Sequence, residues 1–296
     1  MDTITHTLFG LTLYGAVDKS RMTRREKQAL LFTTVTGSQI PDIDVISAWW
    51  DTAGRYQMWH RGLTHSVFLV PVFAALLAGM ARLVWKVKGW SWFVIGMIAV
   101  FIHNTSDLFN AWGTGYLEPF STVRITFGTI PIVDLVFWAL MLGGWLWVFF
   151  RKRSGRLKVP SHRVYRTVWL LIALHVGLQS FQGYTLYQQV NHQYEQVALA
   201  ADFVPGTFTV IGKHGNTVEL SKGTVWTGIR PVTQLKSNED ADLEALFAAN
   251  PKAKTLYEWA PFVVVVEDDK RLGLYDPRFY RNGQSFLFEY MDKQAL

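Results

Sequence analysis

The chain contains no cysteine among its 296 residues, which excludes disulfide bonds and thiolate ligands or nucleophiles. Charged residues are also scarce, at 18%, whereas half of the residues are hydrophobic and 13 are Trp. A mean hydropathy of +0.13 is high for a soluble protein. The first apolar stretch has no basic region before it, so we do not expect a cleaved signal peptide. This composition favours a membrane protein with a soluble part.

Long apolar runs occur in the first 184 residues. Four of them approach the roughly 20 residues that a helix needs to cross a bilayer; they are residues 67–85, 90–109, 132–150 and 168–184. Two shorter runs, 4–17 and 29–40, have the length of core or re-entrant segments, yet they can complete a bundle if they are buried or tilted. We therefore predict a mainly α fold, with a membrane-embedded domain over residues 1–184. This polytopic bundle would have about six helices, two of them short.

The net charge of +6 arises from basic clusters that occupy every second joint between these runs. The seven cations of the last basic joint, which include Lys158, contrast with the weakly charged joints at 41–66 and 110–131. Because Lys and Arg favour cytoplasmic loops, this alternation predicts that the weakly charged joints and everything after residue 184 are extracytoplasmic. No recognition motif accompanies the charge, so no nucleic acid is expected as a partner. The expected partner is the lipid bilayer of the cell (inner) membrane.

The tail, residues 185–296, is predicted to be a small soluble β-rich domain. Short β-rich runs at 206–212, 224–228, 261–267 and 271–275 are separated by turn signals, and one helix is expected at 239–249.

Histidines and aspartates recur beside the predicted outer ends of the spans. His103 and Asp107 are four residues apart, as are Asp2 and His6, so each pair shares one face of a helix. Together with the acids after Pro41, they suggest a metal site, since imidazole and carboxylate suit zinc, manganese or iron. The candidate ligands are His6, Asp42, Asp44, His60, His65, His103 and Asp107.

Simpler interpretations of these residues remain open at this point. A lone His on an apolar helix is more often a hydrogen-bonded core residue, and two acids after a proline often form a solvated turn. Asp134 either joins the cluster or caps a helix. Arg61 and Arg124 either hold a phosphate or carboxylate of a substrate, or pair with acids or lipid headgroups. The gathering of ionisable groups at one membrane level favours a functional site.

The motifs resemble, in order and spacing, the YdjM-like (YbcI-like, YfhP-like) family of predicted membrane-bound metal-dependent hydrolases. They are Thr-His at 5–6 with Gly10 downstream, Pro-Asp-Ile-Asp at 41–44, His-Arg-Gly-Leu-Thr-His-Ser at 60–66 and His-Asn-Thr-Ser-Asp at 103–107. The resemblance covers about residues 1–150 and implies that the seven candidate ligands form a metal site.

A hydrolase with this site would use metal-activated water against a phosphoester or lipid-linked substrate at the outer membrane face. The expected cofactor is a divalent ion, zinc or manganese. Asp42, Asp44 or Asp107 would act as base or bridge, and Arg61 would stabilise developing charge. Two alternatives use the same ligands: a metal-ion transporter or sensor, and a non-catalytic membrane scaffold with a structural metal.

Overall fold

The computed structural model describes residues 1–156 and 159–293. Lys158, from the predicted basic joint, and residues 294–296, from the predicted tail domain, lie outside the described residues. The chain divides into two compact units. The first comprises Met1–Ile43 and Arg61–Gln179, and the second comprises Asp44–His60 and Ser180–Leu296. The segment Asp44–His60 thus groups with the C-terminal part, whereas the sequence assigned it to the membrane-embedded domain.

The described residues contain both helices and antiparallel strands. In chain order the helices are α1 (Thr3–Ala16), α2 (Arg24–Gly37), α3 (Tyr56–Trp59), α4 (Val70–Trp85), α5 (Ser91–Ser106), α6 (Leu135–Arg153), α7 (Ser161–Val190), α8 (Leu243–Ala249) and α9 (Pro251–Trp259). Short 3-10 helices include Ile40–Trp49 after α2, and Leu63–His65 and Val67–Leu69 before α4. The strands are β1 (Gln196–Ala201), β2 (Phe208–His214), β3 (Thr217–Thr224), β4 (Gly228–Lys236), β5 (Val264–Glu267), β6 (Arg271–Tyr275), β7 (Tyr280–Arg281), β8 (Gln284–Ser285) and β9 (Phe288–Asp292).

Four helical segments are long and apolar enough to cross a membrane: Val67–Trp85, Ser91–Phe109, Leu135–Arg153 and Ser161–Gln193. Large apolar side chains on their outer faces are exposed, for example Leu83 at 70%. An apolar exterior of this kind is expected where the surrounding solvent is lipid. The predicted mainly helical fold is therefore confirmed, with four candidate membrane-spanning helices. The two short predicted segments form α1 and α2, with 14 residues each.

Capping side chains set the beginnings of the first two helices. Asp2 accepts hydrogen bonds from the backbone N–H groups of Ile4 and Thr5, which starts α1. Thr23 and Glu26 form a capping box at the start of α2. Both helices therefore begin where side-chain oxygens satisfy the otherwise unpaired amides of the first turn.

Helix α2 packs against α1, α4 and α5, and small residues allow the close approach. A Cβ added to Gly10 of α1 would lie 2.7 Å from the Cα of Val35 in α2. A Cβ added to Gly37 of α2 would lie 2.7 Å from the Cβ of Ala99 in α5. Small residues at such crossings are characteristic of membrane helix bundles. The packing brings the end of α2 beside α5 and so positions the residues that follow α2.

The second unit contains a four-stranded antiparallel sheet in the order β1-β2-β3-β4 and a three-stranded antiparallel sheet in the order β5-β6-β9. Strands β7 and β8 form a short hairpin. The interior of the second unit is formed by buried side chains such as Phe208, Val218, Leu256 and Leu272. The predicted small β-rich domain at the C-terminal end is confirmed, and its sheets are antiparallel.

One local prediction in the tail is wrong, and another is confirmed with a later start. Residues 224–228 do not form one strand. The Thr224 hydroxyl accepts hydrogen bonds from the amides of Trp226 and Thr227 and closes a turn at 225–227, between the last residue of β3 and the first residue of β4. The predicted helix at 239–249 begins later, at Leu243, because Asp242 is its N-cap.

Candidate metal centre

Four side chains of the first unit converge: Asp42, His65, His103 and Asp107. His103 lies in the last turn of α5, and Asp107 follows one turn later. Asp42 lies in the 3-10 helix after α2, and His65 ends a short 3-10 helix before α4. One ligand atom from each residue lies within 4.8 Å of those of the other three. Residues distant in sequence thus present two imidazoles and two carboxylates to one point.

The separations between the ligand atoms fit a single small cation. His65 Nε2 lies 3.2 Å from Asp42 Oδ1 and 3.4 Å from Asp107 Oδ2. His103 Nε2 lies 3.5 Å and 3.9 Å from the same two oxygens, and the two Nε2 atoms are 3.1 Å apart. Bonds of about 2.0–2.2 Å to a tetrahedral ion would separate its ligand atoms by roughly 3.3–3.6 Å. The cluster therefore has the composition and spacing to hold a divalent metal ion.

Hydrogen bonds on the far side of each ring orient the two imidazoles. His103 Nδ1 is 2.7 Å from the carbonyl oxygen of Ser38. Since a carbonyl only accepts, Nδ1 carries the proton and Nε2 keeps its lone pair toward the cluster. His65 Nδ1 is 3.1 Å from the Thr64 hydroxyl, a contact that holds the second ring in place. Such partners are typical of metal-ligating histidines.

His6 lies beside the four-residue cluster. Its ring stacks on His103 with centroids 3.7 Å apart, and its Nε2 is 3.5 Å from Asp107 Oδ1. Both ring nitrogens are buried, and neither forms a hydrogen bond with any group in residues 1–156 and 159–293. A buried polar atom without a partner is costly, so these nitrogens fit a site that holds a further ligand such as a metal ion.

Arg61 supports Asp107. Its Nε lies 3.2 Å from Asp107 Oδ2, its Nη1 donates to Asn110 Oδ1 at 2.7 Å, and its Nη2 donates to the carbonyl of Met1 at 2.9 Å. The residue is 3% exposed and has a φ of 59°, which is unusual for a residue other than glycine. The amino group of Met1 also contacts Asp107 Oδ1. The Arg61 guanidinium thus contacts one of the two clustered carboxylates directly.

Asp42 is the most accessible member of the cluster. Its side chain is 19% exposed, whereas those of His65, His103 and Asp107 are fully buried. Burial by itself raises the pKa of the Asp42 carboxyl, but hydrogen bonds with His103 and His65 outweigh that effect and hold the pKa below its ordinary value. The carboxyl is therefore ionised near neutral pH and is able to act as a ligand.

Asp44 and His60, also predicted as ligands, belong to the second unit. His60 Nδ1 lies 3.0 Å from Asp44 Oδ1, and both side chains are mostly buried. Their predicted part in a metal site stays a prediction, as does the assignment of catalytic roles to Asp42, Asp44, Asp107 and Arg61.

Asp2, Asp134 and Arg124 have structural partners. Asp2 is the N-cap of α1 rather than a companion of His6 at an ion, because its carboxylate bonds the first amides of the helix. Asp134 caps α6 and also accepts a hydrogen bond from His175 Nε2 at 2.9 Å, as the capping interpretation expected. Arg124 donates to the carbonyl of Gly113 at 3.3 Å.

Sequence reasoning missed the orienting role of Ser38, since any residue can supply a carbonyl. Two asparagines beside the cluster, Asn104 and Asn110, are fully buried. Asn110 accepts from Arg61, and Asn104 Nδ2 donates to the carbonyl of Ser66 at 3.2 Å. A signal for such residues is an amide side chain one to three residues from a predicted ligand on a helix.

The family model of the YdjM inner membrane protein matches residues 1–186, a range that contains all seven predicted ligands. The chain belongs to the YdjM inner membrane protein family. The resemblance predicted from the motifs is thereby confirmed, and YdjM membership agrees with the four candidate spans.

A relative of this YdjM-family chain is the "uncharacterized protein YfhP" of Bacillus subtilis (strain 168), which is 31% identical over 141 residues. The match covers 45% of the chain and 42% of YfhP, so the chain spans less than half the length of this relative. No solved structure matches the chain.

Proposed function

We propose that this YdjM-family protein is a membrane-bound metal-dependent hydrolase that acts on a phosphoester or lipid-linked substrate. The observation that carries the proposal is the convergence of Asp42, His65, His103 and Asp107, with ligand atoms within 4.8 Å of one another, at the end of a candidate span. Two imidazoles and two carboxylates suit zinc or manganese. A divalent ion held there supplies Lewis acidity and lowers the pKa of a coordinated water toward neutrality.

The residues around the cluster have separate tasks in this proposal. The Ser38 carbonyl holds the His103 ring with Nε2 directed at the centre. Arg61 fixes the Asp107 carboxylate and compensates its charge in a buried environment. Asp42 lies on the accessible side of the cluster, so substrate approaches there and its carboxylate is placed to accept a proton from attacking water.

The proposed topology places the centre at the outer membrane face. Basic joints alternate with weakly charged ones along a bundle of six segments, in which α1 and α2 are short segments held among the longer helices. In this proposed topology the C-terminal β domain lies outside the cytoplasm. A centre at the membrane surface suits a substrate with a lipid anchor, which would reach the site from within the bilayer.

Ion transport by the same ligands fits less well. A transported ion needs polar groups along a path to the opposite face. In the described parts of the four candidate spans, Asp107 is the only acidic residue, and His103 and His175 are the only histidines more than two residues from the end of a span. His175 pairs with Asp134. The acidic side chain within the described parts of these spans thus lies at one end of a helix, which favours catalysis over passage.

The test is metal-dependent hydrolysis by detergent-purified protein, with bis(p-nitrophenyl) phosphate and phospholipids in mixed micelles as probes. We expect activity that a chelator removes and that zinc or manganese restores. His65→Ala should abolish it, whereas His214→Ala, at a histidine whose side chain is 76% exposed in the second unit, should not. An unchanged rate in His65→Ala, or activity indifferent to chelator, would rule the proposal out.

A further inference from the structure

A groove lies along α6 toward its C-terminal end, far along the helix from Asp134, the N-cap. It is formed by apolar and small residues of the helix, Gly143, Leu146, Trp147 and Phe150, and its volume is about 610 Å³. Arg151, Ser154 and Arg156 line the end of the groove. The groove therefore consists of an apolar channel with a basic end.

Glycine opens the apolar part of the groove. A Cβ added to Gly143 would meet no atom within 4 Å, whereas a Cβ at the adjacent Gly144 would lie 2.6 Å from Val168 of α7. One glycine therefore allows α6 to pack against its neighbour, and the other leaves a shallow channel on a lipid-exposed face. Trp147 and Phe150 flank this channel and remain more than half exposed.

The end of α6 brings two arginines to the same place. The amide of Arg156 donates to the carbonyl of Arg151 at 2.9 Å, and the amide of Gly155 donates to that of Lys152 at 3.2 Å. These bonds, with Gly155 at a φ of 66°, form a Schellman motif that reverses the chain. Arg156 is consequently folded back toward Arg151, whose guanidinium lies over the Trp147 ring at 4.7 Å.

The length of the groove along α6 matches the hydrocarbon thickness of one bilayer leaflet. The ten residue steps from Gly143 to Arg153 rise by about 15 Å along a helix at 1.5 Å per residue. Half of a hydrocarbon core about 30 Å thick is also about 15 Å. An acyl chain in the channel would therefore place its headgroup at the arginine end.

We propose that this groove binds an anionic phospholipid, with an acyl chain along Gly143, Leu146 and Phe150 and its phosphate at Arg151 and Arg156. Guanidinium groups match phosphate oxygens in charge and in bidentate geometry, and basic clusters at membrane helix ends attract anionic headgroups. Trp147 adds an amphipathic ring at the level of the interface. The site is separate from the metal centre and does not depend on the proposed hydrolase activity.

The test is lipid retention by full-length protein in native mass spectrometry, with phosphatidylglycerol and phosphatidylcholine offered as probes. Wild-type protein should retain phosphatidylglycerol preferentially. The double variant R151Q/R156Q should bind it about thirtyfold more weakly, corresponding to about 2 kcal/mol at about 1 kcal/mol for each cation. Arg153→Gln removes an exposed cation of the same turn that does not line the groove, and it should leave retention unchanged.

A second pair of variants tests the apolar channel. Gly143→Leu should fill it and reduce retention of both lipids, whereas Gly79→Leu, on an equally open face of α4, should not. Both variants should elute as folded protein in size-exclusion chromatography. Equal retention of the two lipids by wild type, an equal loss in Arg153→Gln, or full retention in Gly143→Leu would overturn the proposal.

Discussion

Replacement of Arg61 by Leu separates two roles that this residue can have. The sequence predicts that Arg61 stabilises charge on a substrate, whereas in the structure its guanidinium contacts Asp107, Asn110 and the carbonyl of Met1. Leu is suited to the position because it is apolar and lacks the β-branching that a φ of 59° would disfavour. The change leaves the fully buried Asp107 carboxylate without its guanidinium partner.

The expected loss in the free energy of unfolding is large for a single substitution. At the 3.2 Å between Arg61 Nε and Asp107 Oδ2, an ion pair is worth at most about 5 kcal/mol with an effective dielectric constant of about 20. Removal of one partner of a buried pair costs about 3–5 kcal/mol. At about 2–4 °C per kcal/mol, the unfolding midpoint should fall by about 6–20 °C. Since Arg61 orients a candidate ligand, the affinity for zinc should also fall, by about 10–100-fold.

The assay is thermal unfolding in detergent, together with zinc titration, for wild type, Arg61→Leu and the control Arg82→Leu. Arg82 is exposed in the last turn of α4, so its replacement should change neither quantity. Arg61→Lys keeps the charge but loses the planar fork, and it should restore only part of the stability. If Arg61→Leu loses activity with its unfolding midpoint and zinc affinity intact, Arg61 acts on the substrate and the supporting role is refuted.

Two further predictions concern the packing of the units. Gly10→Leu should destabilise the bundle, because a Cβ at this position would lie 2.7 Å from the Cα of Val35. The control Gly79→Leu places its side chain in open space and should leave stability unchanged. Comparison of the two unfolding midpoints checks this prediction, and equal midpoints would contradict it. Arg278→Met breaks a fully buried pair with Asp276 and should destabilise the protein by about 3–5 kcal/mol in chemical denaturation. Arg271→Met, at the exposed pair with Asp292, should leave the unfolding midpoint unchanged, and a similar loss in both variants would count against the argument from burial.

The sequence predicts the candidate centre well where the relevant signal is local. The i, i+4 spacing of His103 and Asp107 fixes their common face, and the structure places Asp42 and His65 beside them. Asp2 has the same spacing to His6, yet it caps α1, because a carboxylate just before a helix can bond the free amides of the first turn. Spacing alone therefore does not separate a ligand from a cap.

Long-range contacts are harder to predict. The Ser38 carbonyl that orients His103 is 65 residues away in sequence and belongs to the backbone, so no side-chain pattern marks it. In the tail, strand β4 was not predicted from the sequence, in part because it contains Pro231, and a proline argues against a central strand. Strand β4 lies at the edge of its sheet, opposite the irregularity at Leu220 and Ser221, where a proline is tolerated.

The central claim is that Asp42, His65, His103 and Asp107 hold a divalent metal ion. Elemental analysis of detergent-purified protein after incubation with zinc or manganese and removal of free metal tests it most directly. We predict at least one equivalent of metal in wild type and in His214→Ala, and less than about a tenth of that in His65→Ala and Asp42→Asn, since each ligand contributes about 3–4 kcal/mol of a typical 10–16 kcal/mol. Metal-free wild-type protein, or the same metal content in all four proteins, would contradict the claim.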